Sequence, residues 1–273
     1  MRQFKIIDTH AHVFPEKVVD AAIQTLTAPG RANKLGGTLE DLFENMQRFG
    51  IAQAWTIPVA TRPEQVASIN TFAAAQPHES IVPFGAIHPD CEDPGAILAG
   101  FRDLGLAGFK MHPDYQNVRP TDPRMQAIFD AAVNFDLIAY FHAGDDVGPR
   151  TRFGSPTEFA TIIDTYPDLH IVLAHMGGWC MWDEVEELLV GRGKPGKLYF
   201  DTAYIRGFLQ TEQMLRIMRE HGMDYILFGS DSPWTSVQKD IDYFCALDLS
   251  NDELEAFFHG NAERLLQAVN YQR

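Results

Sequence analysis

Leu137-Ile138-Ala139-Tyr140-Phe141-His142-Ala143-Gly144 is a short apolar run that stops on a histidine followed by two small residues. A run of this length and character suits one buried β-strand, and a polar side chain at its end suits a strand that delivers chemistry to a loop. The arrangement recurs along the chain. Ile171 to Ala174 leads to His175, Ala107 to Met111 leads to His112, and Phe4 to Ile7 leads into Asp8-Thr9-His10-Ala11-His12. Tyr225 to Phe228 leads to Asp231 in the same way. Imidazoles and a carboxylate brought from separate strand ends to one place are what a divalent metal ion needs, because neutral nitrogen and anionic oxygen both satisfy its coordination sphere.

Strands are expected near 4 to 9, 52 to 59, 82 to 87, 106 to 111, 137 to 142, 169 to 175, 197 to 201 and 224 to 229. Helical periods separate them. Thr38 with Asp41 reads as a capping box for a helix closed by Gly50, Pro63 and Glu64 open another, and Asp122 with Pro123 caps the one that runs to Phe135. Further helices are expected at 155 to 166, 180 to 190, 210 to 221 and 237 to 246. A last one, from Ser250 with Glu253 to Val269, would pack over the outside. Strict alternation implies parallel strands joined by right-handed crossovers, and eight such units in about 250 residues imply an α/β fold of the (β/α)8 TIM-barrel type with an extra C-terminal helix. An open doubly wound sheet would gather ligands at one switch point. Here polar residues end strands one, four, five, six and eight, and only a closed ring brings those ends together.

The 273 residues carry a formal charge of -15, which argues against nucleic acid or an anionic membrane as partner and favours a small-molecule substrate. No linker-like stretch divides the chain, so one domain over 1 to 273 is expected. No apolar stretch is long enough for a signal peptide or a membrane span, so a cytoplasmic protein is expected. Cys91, Cys180 and Cys245 are odd in number and unpaired in spacing, consistent with a reducing compartment and with small buried side chains. A homo-oligomer is compatible with the sequence.

On a strand of period two, His10 and His12 face the same side and can hold one ion together. The alternative, two imidazoles satisfied by core hydrogen bonds, carries a desolvation cost. Asp8 is read as facing away and bracing the backbone or a neighbouring strand. His142 is the third candidate ligand, and the small residues after it would let the loop clear the metal. Asp231 is the fourth, or the base that holds a metal-activated water, or both; alternatively it caps the next helix. His175 is a fifth ligand or, preferably, a general acid/base, because catalytic zinc sites usually keep a position open. Lys110, which shares a face with His112, would anchor a substrate carboxylate, or bridge two metals if carboxylated. Asp201 is read as orienting His175 or as a loop cap. Trp179, Trp234, Tyr204 and Arg206 are expected as pocket walls, with loops 13 to 37, 112 to 121 and 143 to 154. His88 would be a further rim histidine, and His78, His170, His221 and His259 surface or capping residues.

As a set, Thr9-His10-Ala11-His12, Gly108-Phe109-Lys110-Met111-His112-Pro113, Ala174-His175-Met176-Gly177-Gly178, Gly229-Ser230-Asp231-Ser232-Pro233-Trp234 and the closing Gly260-Asn261-Ala262-Glu263-Arg264-Leu265-Leu266 resemble the amidohydrolase superfamily. They are similar to its amidohydrolase-related branch, which also holds aminocarboxymuconate semialdehyde decarboxylase-like proteins. The resemblance implies one divalent metal ion, zinc, held by His10, His12, His142 and Asp231 with His175 over a bound water. A second metal would need a carboxylated Lys110. Asn261 would brace a helix. The main expectation is a hydrolase acting on an ester, lactone or amide of a small carboxylate-bearing substrate, bound by Lys110, His112, Trp179 and Arg206. The alternatives are a non-oxidative decarboxylase of an unsaturated or aromatic carboxylate, in which a cationic pair drawn from Lys110, Arg119, Arg150, Arg152 and Arg206 would grip the acid, and a non-catalytic ligand-binding barrel.

Overall fold

The computed structural model of the chain describes residues 4–26, 35–77, 79–146, 148 and 151–272. His78 and Arg150, and parts of the loops 13 to 37 and 143 to 154, lie outside the described residues. The strands are Ile7–Ala11, Gln53–Thr56, Ile81–Pro83 continued by Gly85–Ala86, Gly108–Met111, Ile138–Phe141, His170–Leu173, Leu198–Asp201 and Ile226–Leu227. Every neighbouring pair is parallel. The third strand is broken at Phe84. Pro83 has no N–H to give, so the ladder changes partner there: Phe84 N–H still donates to Thr56 O at 2.9 Å, while Ala107 N–H donates to Pro83 O at 3.0 Å. Strand eight closes onto strand one through Thr9 N–H to Phe228 O at 2.9 Å and Asp231 N–H to His10 O at 2.9 Å. The ring is therefore hydrogen-bonded all round, as the alternation of strand and helix requires.

Alternate residues divide into two cores. Ile138, Tyr140, Val172, Ala174, Trp55 and Phe84 belong to one buried cluster, which fills the barrel. Their strand neighbours Ala139, Phe141, Ile171 and Leu173 join helix residues such as Phe129 and Phe159 in the other, between barrel and helices. Capping follows the sequence at several points. Thr38 and Asp41 form a reciprocal box, Gly50 ends that helix at φ 70°, and Ser250 with Glu253 forms a second box. Before Pro63 and Glu64, which open the next turn, Arg62 N–H donates to Gln65 Oε1 at 3.1 Å. Short helices Val19–Leu26 and Pro113–Gln116 stand where loops were expected, and Pro94–Ala99 lies between strands three and four, as the alternation requires.

The chain end departs from expectation in a way that matters. It runs as Asn251–Glu255, a wide π turn Ala256–Gly260, and Asn261–Ala268. It does not merely cover the outside: Ala262, Leu265 and Val269 join the interior cluster, and so close the floor of the barrel. Phe257 and Phe258 pack on Phe228 at ring separations of 5.7 and 5.2 Å. Asn261 Nδ2 donates to Met223 O at 2.7 Å and Ile226 O at 2.6 Å, so this brace ties the helix to the start of strand eight. The cysteines were expected to be buried, yet Cys180 and Cys245 are exposed and Cys91 only half-buried.

His170 and His221 lie away from the mouth, as expected, but both are buried. His221 stacks on Phe200 at 4.1 Å, accepts from Gly191 N–H at 3.2 Å and donates from Nε2 to Leu198 O at 3.2 Å.

Two tests follow from this floor and shell. Asn261→Ala takes its donor from the buried Ile226 carbonyl and the half-buried Met223 carbonyl and should destabilise the protein by about 2 kcal/mol, read as a lower urea midpoint at constant slope; an unchanged midpoint contradicts the brace. Burial pulls the His221 pKa down from 6.5 to about 4. The unfolded chain therefore takes up a proton between pH 6.5 and 4 that the native state refuses, and stability present above pH 6.5 is lost as pH falls through that window, by about 3 kcal/mol from this residue. His221→Asn should show a shallower fall in urea midpoint between pH 7 and 4.5 than the parent.

Candidate metal centre

Strand one does not alternate strictly. Its register against strand two slips between Asp8, opposite Ala54, and Ala11, opposite Thr56. Asp8 therefore braces its own strand and its neighbour. One carboxylate oxygen accepts from His10 N–H at 3.1 Å and Ser230 N–H at 2.9 Å, and the other from the Ser230 hydroxyl at 2.6 Å. Burial raises its pKa to about 7. The brace aims the next two side chains together, with His10 Nε2 3.1 Å from His12 Nε2. Asp231 Oδ1 lies 3.5 Å from the first and 3.3 Å from the second. Strand eight can come this close because position 229 is glycine, where a Cβ would sit 2.9 Å from the His10 Cβ.

His142 continues the inward parity of Ile138 and Tyr140. His175 does not: alternation from Ala174 would turn it outward. The backbone enters the left-handed region at His175 (φ 60°) and Met176 (φ 55°), which carries the ring back over the mouth. Asp231 has φ 65°. A non-glycine residue in this region costs about 1 kcal/mol or more, and such strain concentrates at functional sites. Gly144, after His142, serves a purpose other than clearing an ion. At φ 92° a Cβ there would lie 2.2 Å from Trp179 N, so the glycine lets the loops after strands five and six touch.

Hydrogen bonds set the protonation of each ring. His175 Nδ1 lies 2.8 Å from Ala203 O and His142 Nε2 lies 2.9 Å from Asp145 O. A carbonyl only accepts, so both of those nitrogens carry the proton in the neutral rings. The remaining nitrogens, His175 Nε2 and His142 Nδ1, face one another at 3.1 Å with a lone pair on each and no proton between. His10 Nδ1 donates to Asp201 Oδ2 at 2.7 Å, which leaves the His10 Nε2 lone pair turned towards His12 and Asp231. Burial draws the pKa values of His10 and His175 to about 4 and about 3, and lowers that of His142. All three are neutral at pH 7. Facing lone pairs repel unless a cation or a proton comes between them, and with the bare His10 Nε2 beside His12 and Asp231 the donor set fits a divalent metal ion.

Asp201 was expected to orient the His175 ring or to cap the loop; it orients His10 and caps the loop at Ala203. It also accepts from the Tyr140 hydroxyl, from His175 N–H at 2.8 Å and from Ala203 N–H at 2.9 Å. Burial works against its charge, yet His10, His175 and Lys110 outweigh burial and hold it well below the usual carboxylate range.

Two triads among the described residues have ligand atoms close enough for an ion: His10, His12 and Asp231, and His112, His142 and Asp146. Protonation separates them. His112 Nδ1 accepts from Tyr115 N–H at 3.4 Å, so its Nε2–H donates to Asp146 Oδ2 at 3.1 Å, and His142 Nε2 is committed to Asp145 O. The second triad is a hydrogen-bonded support, its His112 ring stacked on His142 at 3.9 Å and 8°. Asp146 carried no sequence signal, because it follows its strand by five residues in a loop.

Both groups line a cavity of about 900 Å³ that also takes in Lys110, Trp179, Tyr204 and Trp234. Lys110 is 2% exposed, its Nζ has no hydrogen-bond partner among the described residues and lies 4.5 Å from the Tyr140 ring centroid. Burial lowers its pKa to about 8, partly offset by Asp201 and Asp231. Arg206, expected in the wall, is drawn off to Asp240. Arg119 and Arg152 pair with Glu158 and Asp145, and His88 is buried away from the cavity, accepting from Asp90 N–H. No helix among the described residues is long and apolar enough to cross a membrane.

Comparison with known proteins bears on this centre directly. The model of the amidohydrolase family matches residues 7–268. A curated relative, the gamma-resorcylate decarboxylase of Polaromonas sp. (strain JS666 / ATCC BAA-500), is 27% identical over 207 residues, covering 63% of this chain and 61% of that protein. The match thus spans about three fifths of the relative's length. An uncharacterised TIM-barrel protein from Bordetella bronchiseptica superimposes with a TM-score of 0.77 at 20% identity, over 97% of this chain and 99% of that one. A dihydroxybenzoic acid decarboxylase from Polaromonas sp. JS666, solved with bound manganese and the inhibitor 2-nitroresorcinol, gives 0.72 at 18% identity, over 97% of both chains. At such identities the two structures speak for the barrel. The curated relative is named a decarboxylase, which overturns the expectation of an ester, lactone or amide hydrolase. Manganese in the solved decarboxylase gives no support to zinc in particular. With its strand-end histidines gathered at the mouth of a closed barrel and the family model matched over nearly its full length, the chain belongs to the amidohydrolase family of enzymes.

Proposed function

We propose that the protein is a metal-dependent, non-oxidative decarboxylase of a small aromatic or unsaturated carboxylic acid. The observation that carries the reading is the Lys110 ammonium, buried at the imidazole cluster in the cavity with no hydrogen-bond partner among the described residues. Burial of a cation that no acceptor hydrogen-bonds is costly and only partly offset by Asp201 and Asp231, and a substrate carboxylate relieves the cost. The curated decarboxylase relative supports the same reaction class.

His10, His12, His142 and Asp231 would hold one divalent ion, with His175 beside it. When bound, the ion supplies positive charge that withdraws electrons from the acid. Lys110 binds and orients an anionic group of the substrate. Asp201 fixes the His10 ring through Nδ1–H and fixes the His175 backbone, so neither ring need reorganise during reaction. Loss of carbon dioxide leaves the electron pair of the broken carbon–carbon bond on the substrate carbon, which must take a proton. His175 is the group assigned to relay that proton: its Nδ1–H stays locked on Ala203 O, and the bare Nε2, turned into the centre, would take a proton from water or from a substrate hydroxyl and pass it to the carbon. Trp179, Tyr204 and Trp234 exclude water from the cavity wall.

Removing the metal with a chelator should abolish release of carbon dioxide from hydroxylated benzoic or unsaturated acids, and adding Mn2+ should restore it. Loaded protein that releases none from such a panel contradicts the reaction class. His12→Ala should lose metal and turnover together while keeping its circular dichroism. His175→Asn should keep the metal and lower turnover about 10²-fold or more; if metal is lost as well, His175 is a ligand and not the proton carrier. Lys110→Met should raise KM for the acid at least tenfold, as expected for removing a charged partner of about 1.5–3 kcal/mol.

A further inference from the structure

The cavity does not end at the metal centre. Trp234 packs edge-on against His12 at 5.2 Å and against Phe14 at 6.4 Å, and beyond this joint the lining changes character. Val18 and Ala22 stand four apart on one side, and Ile69 and Phe72 stand three apart on the helix Val66–Ala74 on the other. Those spacings put each pair on one helical face. The side chains are apolar and half-buried or exposed, with Val18 47% exposed. Charged side chains return at the edge, where Lys17 and Arg62 are exposed. The cavity therefore has a polar floor of imidazoles, Asp231 and Lys110, a largely apolar arm that Gln65 and Ser68 also line, and a rim that carries Thr61, Lys17 and Arg62.

We propose that the arm is a specificity subsite: the acid carries an apolar substituent, an alkyl chain or a second ring, on the side away from its carboxylate, seated between Val18 and Ala22 and the face of Ile69 and Phe72. Two observations point to the substrate as occupant. The arm is continuous with the site that takes the carboxylate. The volume of about 900 Å³ lies near the top of the ~300–1,000 Å³ range that encloses drug-sized ligands, and a single ring bearing a carboxylate fills a small part of it. The orientation of the acid rests on the decarboxylase reading; the existence of an apolar subsite does not.

The test measures binding apart from turnover. Benzoate and its 4-ethyl, 4-butyl and 4-hexyl derivatives are titrated into metal-loaded full-length protein by calorimetry. Dissociation constants should fall about two- to fourfold per added methylene, and the dependence on chain length should flatten in Phe72→Asp and in Ile69→Asp. An affinity that does not change with chain length, an absence of binding by the whole series, or an undiminished slope in both folded variants overturns the subsite. A rising affinity in the parent protein, with no release of carbon dioxide from the corresponding 2-hydroxy acids, leaves the subsite standing and removes the decarboxylase.

Discussion

The carboxylate of Asp201 is the contact on which the mouth of this barrel depends. It sits at the end of strand seven, fully buried, and takes hydrogen bonds from His10 on strand one, Tyr140 on strand five and the backbone at His175 after strand six. Loss of one of those hydrogen bonds to a buried charge would cost about 1.5–3 kcal/mol. The same bonds that stabilise it decide which nitrogen of His10 is free. Structure and chemistry meet here in one proton position: because Nδ1–H belongs to Asp201, the Nε2 lone pair belongs to the cavity.

Carbonyl oxygens do for His142 and His175 what Asp201 does for His10. Each ring has one nitrogen committed to an acceptor that cannot donate, so the other nitrogen is left bare and aimed at its neighbour. In a metal-free interior this is an unfavourable arrangement, and it coincides with left-handed backbone at His175, Met176 and Asp231. Cost has been concentrated where function is expected, and the surrounding ladder and the Asp8–Ser230 brace hold it in place. The triad of His112, His142 and Asp146, equally rich in ligand atoms, lacks this signature because His112 Nε2–H is already given to Asp146 and His142 Nε2–H to the Asp145 carbonyl. Proximity of ligating residues alone would not have told the two apart.

The reaction class shows a different limit. His10, His12, His142, His175 and Asp231 were legible from the sequence because a strand-end polar residue after an apolar run is a local pattern. They are compatible with either attack by water or loss of carbon dioxide, since both use the same ion and the same bases. The hydrolytic expectation failed for that reason, corrected by a relative whose name states a decarboxylase. Arg206 failed for another: a strand-end loop position brings a side chain near the mouth, but Asp240, from a later helix, competes for it and wins.

By itself the sequence determined the barrel, the order of its strands, and the five residues that converge, because periodicity and turn residues act over distances of a few residues. It also marked the capping boxes at Thr38 and Ser250. Only the tertiary structure decided the break of strand three at Pro83, the descent of the chain end into the barrel floor, the turning of His175 against its strand parity, and the isolation of the Lys110 ammonium. Each of these depends on partners brought from far along the chain, and hydrogen bonding and charge pairing are settled by which groups finally stand within reach.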